Sequence, residues 1–304
     1  MSRIGGRGAW AAGVGVLVAV VVAFAITRGG DPEAGAAGPH AGVVGADLSP
    51  SALNAVEASS TVVDDAALVA EGRRLFRSTE LARSGESCQG CHIEGGGVNP
   101  ELGTILHPQE TGDFTGPRDA PSLWGVGSTG PYGWGGGTPT LEEFVAGTIE
   151  SHFEGGRDQP AAETGRQVAA ITAYLETLDP PVTDFDQGTL SPAALRGEEL
   201  FQGKGGCMAC HGGPLLTDNA LHDTLVPKVS AGDTDWGAAP RGPLRGAFNT
   251  PHLRDLRSTA PYMHNGSLKT LRDVVTFYND RSSVAPLSLT PAEIDDLVVY
   301  LRSL

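Results

Sequence analysis

The chain has 304 residues, 40% of them hydrophobic, which is enough to bury the cores of two domains and excludes a disordered or fibrous polymer. Its 36 acidic residues against 21 lysines and arginines give a formal net charge of -15 at pH 7. That balance argues against nucleic acid and anionic membrane surfaces as partners and favours a basic or dipolar protein.

In chain order, Arg3 and Arg7 precede an uncharged apolar run from Ala9 to Ile26. Residues 1–28 therefore read as a signal peptide or an N-terminal hydrophobic helix anchored in the membrane, basic end in the cytoplasm. Ala23-Phe24-Ala25 has the small-x-small form of a cleavage site. Residues 29–64, rich in Gly, Ala and Pro, read as a flexible linker.

The four cysteines of the chain then fall in two identical patterns, Cys88-x-x-Cys91-His92 and Cys207-x-x-Cys210-His211. One pair supplies only half of a four-cysteine zinc site, and a redox dithiol needs no histidine directly after its second cysteine. The spacing is that of c-type haem attachment: two thioethers to the porphyrin, with the adjacent histidine, His92 or His211, as proximal iron ligand. Two covalently bound haem c groups follow. They leave no cysteine for disulfides and imply export to the periplasm or another extracytoplasmic space, since c-type haems are attached outside the cytoplasm.

The sequence also repeats. Gly72–Phe76 (GRRLF) precedes the first motif and Gly197–Phe201 (GEELF) the second. Residues 120–123 match 250–253, and STGPYGWGGGTPTLEEFV (128–145) matches STAPYMHNGSLKTLRDVV (258–275), all at an offset of 130. Each half closes on a similar helix, ITAYLETL (171–178) and LVVYLRSL (297–304). Ser191-Pro192 and the capping box Thr290-Pro291-Ala292-Glu293 mark helix starts, and Ile294, Leu297, Val298, Leu301 and Leu304 form one apolar face. Strand signals are sparse. The expected fold is all-α: two tandem class I cytochrome c-like haem domains with long loops, at 65–180 and 181–304, joined by a connection from Asp179-Pro180-Pro181 to about Gly188.

The halves differ where iron would be touched from the distal side. Met263 faces Gly133 in the alignment, and Tyr278 faces Thr148. Neither Gly133 nor Thr148 is a good haem ligand, so the first haem is expected to be open or loosely held and the second closed by Tyr278 or Met263. Chemistry is expected at the first haem and electron relay at the second.

From about residue 66 to 304 the chain resembles the bacterial di-haem cytochrome c peroxidase and MauG superfamily. The most specific piece is TAPYMHNGSLKTLRDVVTFYN (259–279), with FNTPHLRDL (248–256) and LTDNALHDTLVP (216–227) also similar. The resemblance implies a low-potential peroxidatic haem in the N-terminal domain and a high-potential haem in the C-terminal domain. It also implies roles for single residues. His107 corresponds to a histidine that binds the resting peroxidatic iron and leaves on activation. Glu154 matches the acidic residue over the distal pocket, a buried carboxylate with Glu150 and His152 as rivals. Trp134 matches the tryptophan between the haems, although W-G-G-G stands here in place of the usual W-D-G-R. Tyr278 falls on the peroxidases' axial methionine, where MauG-like enzymes carry tyrosine, and is preferred over Met263. Asp119, Thr259 and Pro261 match positions that hold one calcium ion between the domains.

The expected function is reduction of hydrogen peroxide at the first haem, with electrons relayed through the second from a small donor protein such as a monohaem cytochrome c or a cupredoxin. Two alternatives stand beside it: a MauG-like oxidase of a protein side chain acting through Trp134, and a membrane-tethered electron carrier without catalysis.

Overall fold

Two helix pairs carry the architecture, and in each a glycine lets one backbone touch the other. The computed structural model describes residues 65–93, 97–98, 118–154, 160–229, 237–238, 242–281 and 286–304, which lie within one compact unit, Thr61–Leu304. The expected N-terminal hydrophobic helix, the 29–64 linker and His107 lie outside the described residues. No helix among the described residues is long and apolar enough to cross a membrane.

In the first half, α1 (Asp65–Arg77) crosses α4 (Ala161–Glu176). In the second, α6 (Pro192–Gln202) crosses α8 (Pro291–Leu301). A Cβ on Gly72 would lie 1.9 Å from the carbonyl oxygen of Ala170, and one on Gly197 would lie 2.2 Å from that of Asp296. An aromatic pair then locks each crossing: Phe76 meets Tyr174 edge-on at 5.4 Å, and Phe201 meets Tyr300 edge-on at 5.3 Å. Around these contacts two apolar clusters form, one built from Leu75, Phe76, Ile171, Tyr174 and Leu175 and the other from Phe201, Leu297, Tyr300, Leu301 and Leu304.

The helix starts follow the expected chemistry. Ser191 Oγ accepts from the Ala194 amide, with Pro192 in the first turn. Thr290 and Glu293 exchange hydrogen bonds at the start of α8, and Ile294, Leu297, Leu301 and Leu304 are buried, with Val298 packed against them.

The remaining helices among the described residues are the short α2 (Cys88–Cys91), α3 (Leu141–Gly147) and α5 (Asp184–Gln187) and the longer α7 (Leu271–Arg281). Among the described residues strand is confined to two antiparallel pairs, β1 (His92–Ile93) with β2 (Gly97–Val98) and β3 (Leu221–His222) with β4 (Phe248–Asn249). The molecule is thus mostly helical, as expected.

The repeat extends to the loops. A 3₁₀ turn at Val126–Ser128 has its counterpart at Leu256–Ser258. The Tyr132 hydroxyl donates to the Val126 carbonyl and that of Tyr262 to Leu256, at 3.1 and 2.8 Å.

The connection between the halves is more structured than its proline-rich sequence suggests. Thr183 and Asp186 cap α5, Gly188 closes it in the left-handed region, and the buried Arg254 guanidinium pairs with Asp186. A partner 68 residues further along the chain orders this segment, which local sequence could not reveal.

Gly72→Ala and Gly197→Ala should each destabilise the protein by about 1–3 kcal/mol, because the new methyl meets backbone atoms that cannot move aside. Urea unfolding checks this, with alanine at the uncrowded Gly165 as the control expected to leave stability unchanged or slightly raised.

Candidate haem-binding and inter-haem site

Both C-x-x-C-H motifs sit on single helical turns, which bring residues three apart to one side. Ser87 caps the first turn by accepting from the Gly90 amide, and the His92 amide closes it on the Cys88 carbonyl. In the second, the Cys210 and His211 amides both donate to the Cys207 carbonyl, at 3.2 and 2.9 Å. All four cysteines are free and partly buried. Burial pushes the Cys88 and Cys207 thiols up to about 11.

His211 Nδ1 lies 2.9 Å from the Leu216 carbonyl, and burial lowers the ring's pKa below the usual histidine value. A neutral imidazole whose Nδ1–H is held by a carbonyl presents Nε2 as a ligand, the arrangement a proximal haem histidine needs. Cys210, Asp218 and His222 also come close enough together to suggest a metal ion. Thioether formation at Cys210 removes that ligand, and it leaves the Asp218–His222 pair at 2.8 Å as a hydrogen bond on the rim of the second motif. The residues present therefore fit two covalently attached haems.

Tyr278 on α7 is partly buried, hydrogen-bonds Thr224 and interacts electrostatically with the Cys207 and Cys210 thiols. Burial is the main cause of its raised pKa. Its counterpart Thr148 starts a π-helical turn, Thr148–His152, and donates its hydroxyl back to the Phe144 carbonyl. Met263 holds a left-handed conformation at φ 69, matching φ 79 at Gly133. For a residue with a Cβ this costs about 1–2 kcal/mol.

Trp134 lies on the seam between the halves. Its indole N–H donates to the Asp119 carbonyl at 2.8 Å, and its own carbonyl accepts from the Asn249 amide at 2.8 Å. Its ring meets His264 edge-on at 6.2 Å, and His264 stacks on Phe248 at 3.5 Å, with the Arg118 guanidinium 5.5 Å from the Phe248 centroid. Sequence reasoning passed over His264 and Phe248. The one available signal was the position of His264 directly after Met263, inside the most distinctive stretch of the chain.

Asp119 is buried, and its Oδ1 has no hydrogen-bond partner among the described residues. Burial pushes its carboxyl up to about 7, opposed by the Lys269 ammonium and the Ala120 amide. The Asp119 amide donates to the His264 carbonyl at 2.9 Å, which ties it to the turn that follows Thr259 and Pro261. A buried, unpartnered carboxylate oxygen fits a hard cation.

Glu154 departs from the expected burial. Its side chain is 53% exposed, with Arg83 Nε 3.9 Å away. It follows the π-helical segment and its cap Phe153 at φ 49, with Phe153 buried and the carboxylate turned toward solvent. Glu150 and His152 are exposed as well.

Residues 66–181 match the di-haem cytochrome c peroxidase family. The cytochrome-c peroxidase IdrP2 of Denitromonas iodatirespirans is 30% identical over 306 residues, covering 79% of this chain and 82% of that protein. The methylamine utilization protein MauG of Methylorubrum extorquens is 30% identical over 285 residues, covering 78% of this chain and 77% of that protein. Among solved structures, a MauG-like protein associated with microbial copper homeostasis superposes with a TM-score of 0.66 at 25% identity, covering 79% of this chain and 90% of that one.

Replacing both Cys88 and Cys91 by serine, or both Cys207 and Cys210, should leave one covalent haem per chain in place of two. Haem-stained denaturing gels and pyridine haemochrome titration read the loss directly.

Proposed function

We propose, from the premise that this chain belongs to the di-haem cytochrome c peroxidase family, that it reduces hydrogen peroxide at its N-terminal haem. It is a di-haem oxidoreductase. When bound, the haems supply the redox chemistry, two-electron reduction of peroxide to two waters at one iron and one-electron transfer through the other.

The observation that carries this reading is the inequality of the halves. The Tyr278 phenol lies within electrostatic reach of the second cysteine pair, while Thr148 turns its hydroxyl back onto its own helix. The second site then holds a distal ligand and the first lies open to a small substrate. Tyr278 is the assigned ligand, with Met263 as the alternative. His107 is the releasable ligand of the first site. Glu154 carries a proton from the near to the far peroxide oxygen. Trp134 carries electrons between the domains at 65–180 and 181–304, its ring held by the hydrogen bond to Asp119.

Asp119, Thr259 and Pro261 hold one calcium ion at the seam. The electron donor is a small, basic or dipolar protein such as a monohaem cytochrome c or a cupredoxin, drawn by the acidic charge. Residues 1–28 direct export and provide the tether if they are retained.

Tyr278 also favours a second reading, a MauG-like oxidase that draws electrons from a protein side chain through Trp134. Phenolate ligation supports oxidised iron, where a thioether would support reduced iron.

Tyr278→Phe should change the visible spectrum of the second haem and Met263→Leu should not; the reverse result assigns the ligand to Met263. Glu154→Gln should lower peroxide turnover with a reduced monohaem cytochrome by about 10²–10⁴-fold without changing either haem spectrum. Wild-type turnover in that variant would remove Glu154 from the mechanism. Calcium at 100 times its dissociation constant should add about 2.7 kcal/mol of stability to the wild type. Asp119→Ala should abolish that increment in thermal melts with and without a chelator.

A further inference from the structure

His252 is buried and lies outside every role assigned above. Its Nδ1 accepts from the Arg254 amide at 3.2 Å, and the backbone of Ser122 hydrogen-bonds its ring. Burial lowers its pKa to about 4, so the ring is a neutral imidazole with one acceptor and one donor nitrogen, both engaged.

Ser122 belongs to the first half, and at the repeat offset of 130 it is the counterpart of His252 itself. A residue and its duplicate thus touch, which places this contact at the centre of the seam. Serine in one copy and imidazole in the other also make it an asymmetric position, like Thr148 and Tyr278.

The segment carrying His252 is bonded along its length to the loop that follows the second haem motif. The Thr250 amide donates to the Ala220 carbonyl at 2.9 Å, the Thr217 hydroxyl to the Thr250 carbonyl at 2.6 Å, and the Leu253 amide to the Leu215 carbonyl at 3.3 Å. Leu216, next in that loop, provides the carbonyl that holds His211 Nδ1, and the Pro251 backbone also hydrogen-bonds the His211 ring.

We propose that His252 is a positioning residue for the proximal ligand of the second haem, clamping residues 250–253, and through them the Leu216 loop, onto Ser122 of the first half. The inference rests on the reading that His211 binds the second iron. Second-shell acceptors raise the basicity of a ligating histidine, and a more basic ligand favours ferric iron. A loosened clamp should therefore raise the second haem's potential.

His252→Leu keeps most of the volume and removes both hydrogen bonds, while His252→Gln keeps a donor and an acceptor. In spectroelectrochemical titration of the intact di-haem protein, the leucine variant should shift the second haem's ferric-to-ferrous ratio at least threefold toward ferrous. On the scale of about 59 mV per tenfold for one electron, that is about 28 mV upward. The first haem's midpoint should stay in place, and glutamine should restore most of the change. If the leucine variant does not accumulate, His252→Ser, which restores the residue of the first half, carries the same expectation. An unmoved second midpoint, or equal movement of both haems, overturns the proposal. A His211→Ala protein with an unaltered second-haem spectrum would instead overturn the ligand assignment beneath it, so the two failures are distinguishable.

Discussion

The structure depends on backbone-to-backbone contact where the first helix of each half crosses the last. At Gly72 and Gly197 even a methyl group would collide with the carbonyl it faces. That closeness lets Phe76 reach Tyr174 and Phe201 reach Tyr300, and these contacts fix the helix pair whose side supports each cysteine turn. Cys88 and Cys207 pack against the resulting clusters. The same solution, used twice, provides two rigid frames for two rigid cofactors.

The two halves share their crossings and the turns around them and differ at single positions outside these contacts. The 3₁₀ turns, the tyrosine hydroxyls that brace them and the left-handed residues Gly133 and Met263 are shared between the halves. Thr148 against Tyr278, and Ser122 against His252, are not. The frame tolerates both members of each pair because neither position lies at a helix crossing. A duplicated fold can in this way hold one open and one closed iron site, at the cost of a few side chains.

Local chemistry was readable from the sequence. The haem motifs, the caps at Ser191 and Thr290 and the apolar face of α8 depend on short spacings or on the repeat register. Contacts between distant segments were not readable. The stack of His264 on Phe248 and the pairing of Arg254 with Asp186 join residues whose separations carry no periodic signal, and the repeat offset relates His252 to Ser122 without saying that they touch. Glu154 shows the limit within a single motif: the residue type matched its family position, but a π-helical segment and a left-handed φ turned the carboxylate outward.

The central claim is that the two haem sites are unequal, and electron paramagnetic resonance of the half-reduced protein tests it most directly. The account predicts a high-spin ferric signal from the first haem that disappears on addition of one equivalent of peroxide. Two low-spin haems indifferent to peroxide would contradict it.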